Sequence, residues 1–327
     1  YLTCRVISAV AQWALSEIIV KKRYPSVFAV KPEKIDDETK KEITKNVKAM
    51  FMHNIGRVLV NTIDSIIISA FIGVTVLGKY SNYVLVMNAM IGTIALFFTP
   101  LTATIGHLVV KDVEAFKKYF GFFFTLNFCL GCVFFLGYYA VIDDLITLFF
   151  GTGLKLEKSI SFVITVNYFI QFMRQATLLF RNASGTFYYD RFKPIAEGLS
   201  NLVLSIAFVL LFRHFFNDDL AVVGVIVATI ITNLFICHVV EPHVLHKYAF
   251  HVSTKQFFLR NYLCIAAFIV ALVALNFCSV TLENRWLDLL ANGFIAIGIS
   301  VAPIIGAVAS SKDFRVFVKK FLKKEKG

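Results

Sequence analysis

No stretch of this chain alternates polar and apolar residues with period two, which excludes the strands of a membrane barrel. Acidic residues are few, 21 Asp and Glu against 33 Lys and Arg, and polar segments are scarce: the only long one runs from Lys21 to about Ala49. A disulfide framework is absent. The six cysteines (Cys4, Cys129, Cys132, Cys237, Cys264 and Cys278) all sit inside or at the edge of apolar runs. Cys129 and Cys132 have CxxC spacing, but the middle of a lipid-embedded helix lacks the water access that a zinc or redox site needs, so all six read as packing residues. Gly151-Thr152-Gly153-Leu154-Lys155 lacks the spacing of a phosphate-binding loop, and Asn182-Ala183-Ser184 is a glycosylation sequon on the cytoplasmic side. His107, His238, His243 and His246 lack paired-ligand geometry, so no metal and no cofactor is assigned. Nor does any nucleophile come with a base and an orienting acid, so an enzyme is not expected.

What is present is apolar: 58% of residues are hydrophobic and 35 are Phe. Runs of about 20 apolar residues, enough to cross roughly 30 Å of hydrocarbon as helix, recur near 1–20, 50–72, 82–107, 119–141, 160–180, 194–213, 219–240, 261–279 and 288–310. The expected fold is therefore an all-α, polytopic transmembrane bundle of about nine spans. Pro100 and Pro303 fall inside spans, where each removes a backbone bond and predicts a kink.

Basic residues set the orientation. Lys21, Lys22, Arg23, Lys40, Lys41, Lys111, Lys117, Lys118, Arg181, Arg191, Lys193, Lys247, Lys255, Arg260 and the tail from Lys312 onward fall on one side of the spans, with only Lys79, Lys155, Lys158, Arg213 and Arg285 opposite. This asymmetry predicts a multi-pass membrane protein with a cytoplasmic carboxyl terminus. Basic loops on anionic lipid also account for the net charge of +12 without any nucleic-acid partner.

Residues 21–49 read as a cytoplasmic basic linker, broken by Pro25 and Pro32 and helical from Asp36 onward. In the tail 311–327, Phe314, Phe317, Val318, Phe321 and Leu322 form one stripe of a basic amphipathic helix, expected on the cytoplasmic leaflet. The chain opens on Tyr1 within an apolar run, without a signal-peptide pattern. With the tail inside and an odd number of spans, it reads as a fragment lacking upstream helices.

Ionisable groups deep in a membrane helix are costly unless they face protein or water, so they mark candidate sites. Arg57, Asn61 and Asp64 stand at i, i+4 and i+7 on one helical face, and Asn167, Gln171, Arg174 and Arg181 share another. Arg57 and Arg174 lie at similar depth from the cytoplasmic side. Long arginine stems can snorkel to the interface, but Asn61, Asp64, Asn167 and Gln171 are too short to do so, which points to a cavity. Arginine also grips phosphate through paired hydrogen bonds. Asp64, near the midplane, reads either as half of an ion pair with Arg57 or another helix, or as a coupling site for a proton or sodium ion. Asp143, Asp144, Asp218 and Asp219 fall in outer turns and are expected to be solvated.

Several stretches resemble Wzx-type polysaccharide flippases of the MATE and lipid-flippase superfamily. They are Arg181 to Ile206, with Arg181-Asn182-Ala183-Ser184-Gly185-Thr186-Phe187-Tyr188-Tyr189-Asp190-Arg191-Phe192-Lys193-Pro194-Ile195-Ala196-Glu197-Gly198 at its head; Gly56 to Gly73; Gly78-Lys79-Tyr80-Ser81-Asn82-Tyr83; Leu145 to Leu154; and Glu241-Pro242-His243-Val244-Leu245-His246-Lys247-Tyr248-Ala249-Phe250. Their order and spacing agree over nearly the whole chain. The resemblance implies two six-helix lobes around a central cavity. Residues 1–20 would end a first lobe that is otherwise missing, 50–246 would form the second, and 258–310 an added helix pair. It also implies movement of an undecaprenyl-pyrophosphate-linked oligosaccharide to the outer leaflet by alternating access. On that reading Arg57, Arg174 and Arg181 hold the pyrophosphate, and Asn61, Asn167 and Gln171 bond sugar hydroxyls.

Three alternatives stand beside it. A cation-coupled drug or metabolite antiporter of the same superfamily would need acids to dominate the cavity, whereas the sequence sets a single deep Asp64 against its arginines. A membrane glycosyltransferase or polymerase would carry a large outer loop, and the outer loops here are short. A scaffold without transport stays open only because the chain reads as truncated.

Overall fold

The computed structural model describes residues 2–26, 35–98, 100–217 and 220–324. The side chains at 2, 57, 59, 61, 97–98, 103–104, 110 and 320–324 lie outside the described residues, as do Pro32, Asp218 and Asp219. All regular structure among the described residues is helical. The chain divides into two compact units, Tyr1–Val47 and Lys48–Gly327.

The first unit holds α1 (Leu2–Arg23) and the start of α2 (Asp37–Phe71). Lys21, Lys22 and Arg23 close α1, where cations favour the carbonyl end of a helix, and Lys21 bridges back one turn to Glu17 at 2.7 Å. Helix α2 starts at Asp36, whose carboxylate accepts the Thr39 backbone N–H at 2.8 Å, and that bond holds its acidity on the strong side of the ordinary carboxylate range. The sequence predicts a juxtamembrane helix separate from the span at 50–72. The structure has instead one helix of 35 residues, because no Pro or Gly interrupts residues 36–55.

In the second unit α2 is followed by α3 (Val74–Phe98), α4 (Leu101–Lys111), α5 (Val113–Phe150), α6 (Lys158–Met173), α7 (Gln175–Ala183), α8 (Lys193–Phe215) and α9 (Ala221–Thr232). A π-helical turn, Asn233–Cys237, leads into α10 (His238–Leu245), and a second, His246–Phe250, closes that rod. Then come α11 (Lys255–Cys278), α12 (Arg285–Ser310) and α13 (Lys312–Lys324).

Six helices among the described residues are long and apolar enough to cross a membrane: Thr3–Arg23, Val113–Phe150, Lys193–Phe215, Ala221–Phe250, Lys255–Cys278 and Arg285–Ser310. This makes the chain a multi-pass membrane protein by length and composition. Two of the other expected spans are broken. The span at 82–107 divides between α3 and α4 where Pro100 removes a backbone donor. The span at 160–180 turns at Arg174, whose N–H bonds Gln171 O in a tightened final turn. In the third, at 50–72, the apolar part is the shorter Thr62–Phe71.

Helix α5 is the longest element. Asp112 caps it through the Ala115 N–H at 2.9 Å, and it runs 38 residues to Gly151, which takes φ 97. At 1.5 Å per residue it is about 57 Å long, well beyond a hydrocarbon core. The extra length carries Asp143 within the helix rather than in a solvated turn. Its carboxylate accepts the Tyr83 hydroxyl at 2.9 Å, correcting the expectation for that residue. Close packing of small residues holds this unit together. A Cβ on Gly224 of α9 would stand 2.6 Å from Phe208 O of α8, and the rings of Phe169 and Phe268 stack at 3.5 Å between α6 and α11.

The tail helix also makes contacts within the unit. Phe314 stacks against Phe122 at 5.2 Å, and Phe317 meets Phe122 at 5.0 Å and Tyr119 at 4.6 Å in tilted contacts, so this part of the apolar stripe packs on α5.

Candidate functional site

A cavity of about 660 Å³ opens within the second unit, between α2, α3, α6, α7, α8 and the α9–α10 rod. It gathers residues that sequence periodicity had placed on two separate faces: Asp64 together with Asn167, Gln171, Arg174 and Arg181. The side chains of Arg57 and Asn61 lie outside the described residues. Gln171 donates to Asn167 Oδ1 at 3.1 Å along one helical turn, leaving an amide pair on the wall.

The turn at Arg174 determines what its guanidinium meets. Arg174 Nε donates to Glu241 Oε2 at 3.0 Å and Nη2 to Glu241 Oε1 at 2.6 Å, a bidentate pair. Nη1 donates to Asn233 Oδ1 at 2.6 Å and lies 3.6 Å from Glu197 Oε1. The π turn at Asn233–Cys237 belongs to the same contact, since its added residue per turn sets the relative positions of Asn233 and Glu241 on the rod. From the start of α8, Lys193 Nζ reaches Glu197 Oε2 and Glu241 Oε1, each at 2.6 Å. Pro194 at the first turn fixes this helix start, and Gly56 of α2 packs so close that an added Cβ would stand 2.1 Å from Pro194 Cβ.

Arg181 completes the cluster. Its Nη1 lies 2.5 Å from Asp190 Oδ2 and 3.8 Å from Glu241 Oε1. His53 Nε2 stands 3.0 Å from Phe187 O and 3.1 Å from Asp190 Oδ1, two acceptors, so this nitrogen carries the ring proton. Glu241 and Asp190 side chains are 1% and 0% exposed, and those of Arg174, Arg181, Lys193 and Glu197 at most 14%.

The sequence reading weighed its arginines against Asp64 alone. That balance is corrected here: Arg174, Arg181 and Lys193 are matched by Asp190, Glu197 and Glu241, three cations against three carboxylates. Such a closed network is tolerated in a low-dielectric interior because each charge has a partner. An anion entering the cavity therefore meets cations already held by carboxylates.

Asp64 stands apart from this network. Thr229 Oγ1 donates to its two carboxylate oxygens at 3.0 and 3.1 Å, and among the described residues no basic group lies within ion-pair distance. Asn201 Nδ2 in turn donates to Thr229 Oγ1 at 2.8 Å. Among the described residues no cluster of three His, Cys, Asp or Glu side chains could hold a metal ion.

Lys193, Glu197, Thr229, Asn233 and Glu241 were not singled out from sequence. Glu197 falls three residues inside an expected span and Glu241 one residue past another, where a carboxylate costs little. The i, i+4 spacing of Lys193 and Glu197 was the available signal. Comparison of the chain with protein-family models, curated proteins and solved structures found no match.

Proposed function

We propose that this protein is a flippase that moves undecaprenyl-pyrophosphate-linked oligosaccharide from the inner to the outer leaflet of a bacterial plasma membrane, with its carboxyl terminus cytoplasmic. It is a transporter and not an enzyme. The observation that carries this reading is a cavity of about 660 Å³, walled by Asn167, Gln171, Arg174, Lys193 and Glu241, inside a bundle of apolar helices. Its volume lies in the range of small-molecule sites, and amide side chains suit sugar hydroxyls. The pyrophosphate takes the fork of Arg174 and Lys193 in competition with Glu241, with Arg57 and Arg181 as its further cationic ligands on this reading, while the lipid tail stays in hydrocarbon. Anionic headgroups bind the basic cytoplasmic loops.

Reconstitution in vesicles with a fluorescent pyrophosphate-linked oligosaccharide tests the reading. The chain should carry the label across the bilayer, and the paired change Asn167→Leu and Gln171→Leu, which leaves the charge network in place, should slow transfer. Charge reversal at Arg57 or Arg174 should abolish it. Transfer at full rate in all these variants would overturn the assignment.

One observation favours a second reading, a cation-coupled antiporter of the same superfamily. Asp64, Glu197 and Glu241 all line the cavity, so acids are as prominent there as bases. An antiporter would move an organic cation in the same vesicles and leave the lipid label where it was.

A further inference from the structure

Helix α11 carries Arg260 near its start at Lys255, at the end of the α11–α12 hairpin where α11 begins and α12 gives way to α13. Its Nη2 donates to Thr125 Oγ1 of α5, and that hydroxyl lies 2.9 Å from both Gly121 O and Ser311 Oγ, the latter at the α12–α13 junction. The Phe124 ring covers one side of the guanidinium, 5.1 Å away. Its position is thus fixed, but it lacks a counter-charge. Among the described residues no carboxylate lies within ion-pair distance of Arg260, and its Nε is buried with no acceptor. Asp313 acts on it from beyond that distance. The Asp313 carboxylate rests against the bare Cα of Gly121, where an added Cβ would stand 2.2 Å from Oδ2. A cation without a close partner at the edge of hydrocarbon is costly, so the arrangement calls for an anion from outside the chain.

We propose that Arg260 holds the phosphate of an anionic phospholipid in the seam between α5, α11 and the α12–α13 junction. A guanidinium meets phosphate with parallel donors, and a phosphate oxygen supplies the acceptor that Arg260 lacks. The level fits. The apolar run of α12 ends at Ser310, and Ser311 is one hydroxyl away from the guanidinium, which sets the site at headgroup depth and not at the bilayer centre. Access fits as well: Arg260 is only half-buried, and Leu259 and Leu263 beside it on α11 are 66% and 60% exposed, an apolar wall for the acyl chains. Charge then selects the lipid. Arg315, whose Nε donates to Ser311 O at 3.4 Å, and the exposed Lys312 add positive charge at the junction against Asp313, which favours a headgroup of net negative charge over a zwitterionic one. Basic loops attract such headgroups by charge alone, whereas Arg260 adds a donor fixed among buried hydroxyls, whatever the cavity carries.

The full chain in non-ionic detergent is titrated with phosphatidylglycerol, phosphatidylcholine or inorganic phosphate. The readouts are the unfolding temperature and, by native mass spectrometry, the number of lipids retained. Phosphatidylglycerol should raise the unfolding temperature saturably, phosphatidylcholine should do so more weakly, and inorganic phosphate at equal concentration should not. Arg260→Gln should weaken phosphatidylglycerol binding by about fivefold or more, while Lys40→Gln, the same loss of charge on α2, should leave it unchanged. Asp313→Asn should tighten binding, because a competing carboxylate is gone. Were Arg260 serving only to balance Asp313 within the fold, Asp313→Asn would instead lower stability and bind lipid no better, and the site would fall. Should Arg260→Gln fail to fold, Asp313→Asn still decides, together with Arg260→Lys, which keeps the charge without the parallel donors and should bind more weakly than the parent. Undiminished phosphatidylglycerol binding in Arg260→Gln, or an equal response to phosphatidylcholine or to inorganic phosphate, would overturn the site.

Discussion

Arg174 and Glu241, 67 residues apart, are joined by two hydrogen bonds of 3.0 and 2.6 Å at the wall of the cavity. One oxygen of Glu241 serves Lys193 as well, at 2.6 Å, so a single carboxylate ties α8 and α10 to the bend between α6 and α7. Glu241 thus holds both cations, while Glu197 holds Lys193 as well, at 2.6 Å.

The network should behave as a unit. Glu241→Gln leaves two buried cations facing Glu197, and Arg174→Gln leaves Glu241 with Lys193; each is expected to destabilise by about 3–5 kcal/mol. The double variant should lose clearly less than the sum, as measured by unfolding in detergent. Strict additivity would show that the two side chains do not interact.

Two glycines separate backbone contact from open space. Gly224→Ala places a methyl group against the Phe208 carbonyl and is expected to cost about 1–3 kcal/mol, because backbone cannot step aside. Gly78→Ala on α3 meets nothing within 4 Å and should stabilise by up to about 1 kcal/mol through helix propensity. Thermal unfolding of both variants checks the contrast.

His238 is a polar pin between three helices. Its Nε2 lies 2.9 Å from Ile170 O and its Nδ1 3.0 Å from the Asn261 amide nitrogen, so Nε2–H donates and Nδ1 accepts. Asn261→Leu leaves that acceptor bare in a buried site and is expected to cost about 1–3 kcal/mol. An unfolding temperature equal to that of the parent would reassign the pin.

The tail helix should be held by its aromatic contacts. Phe317→Ala removes the pairs with Phe122 and Tyr119, each expected to contribute about 0.5–1.5 kcal/mol, and should expose residues 312–324 to protease. Val316→Ala, at a position 44% exposed, should change little. Protection in vesicles unchanged by Phe317→Ala would favour lipid contact over α5.

The sequence by itself determined the class. Apolar runs of bilayer length and helical spacing are local properties, and they place Val113–Phe150, Lys193–Phe215 and Lys255–Cys278 as membrane helices whatever lies beside them. It also marked Asp64, Asn167, Gln171, Arg174 and Arg181 as polar residues with no apolar reason to be where they are. Which of them meet, and what neutralises them, was decided by tertiary structure. Glu197 and Glu241 sit at the edges of their runs, where a carboxylate is cheap, and only the bend at Arg174 and the π turn at Asn233 bring them into one cluster. Asn201 and Thr229 are too weakly polar to interrupt a hydropathy run. Their bearing on Asp64 follows from three helices meeting, a relation that no single helix's sequence encodes.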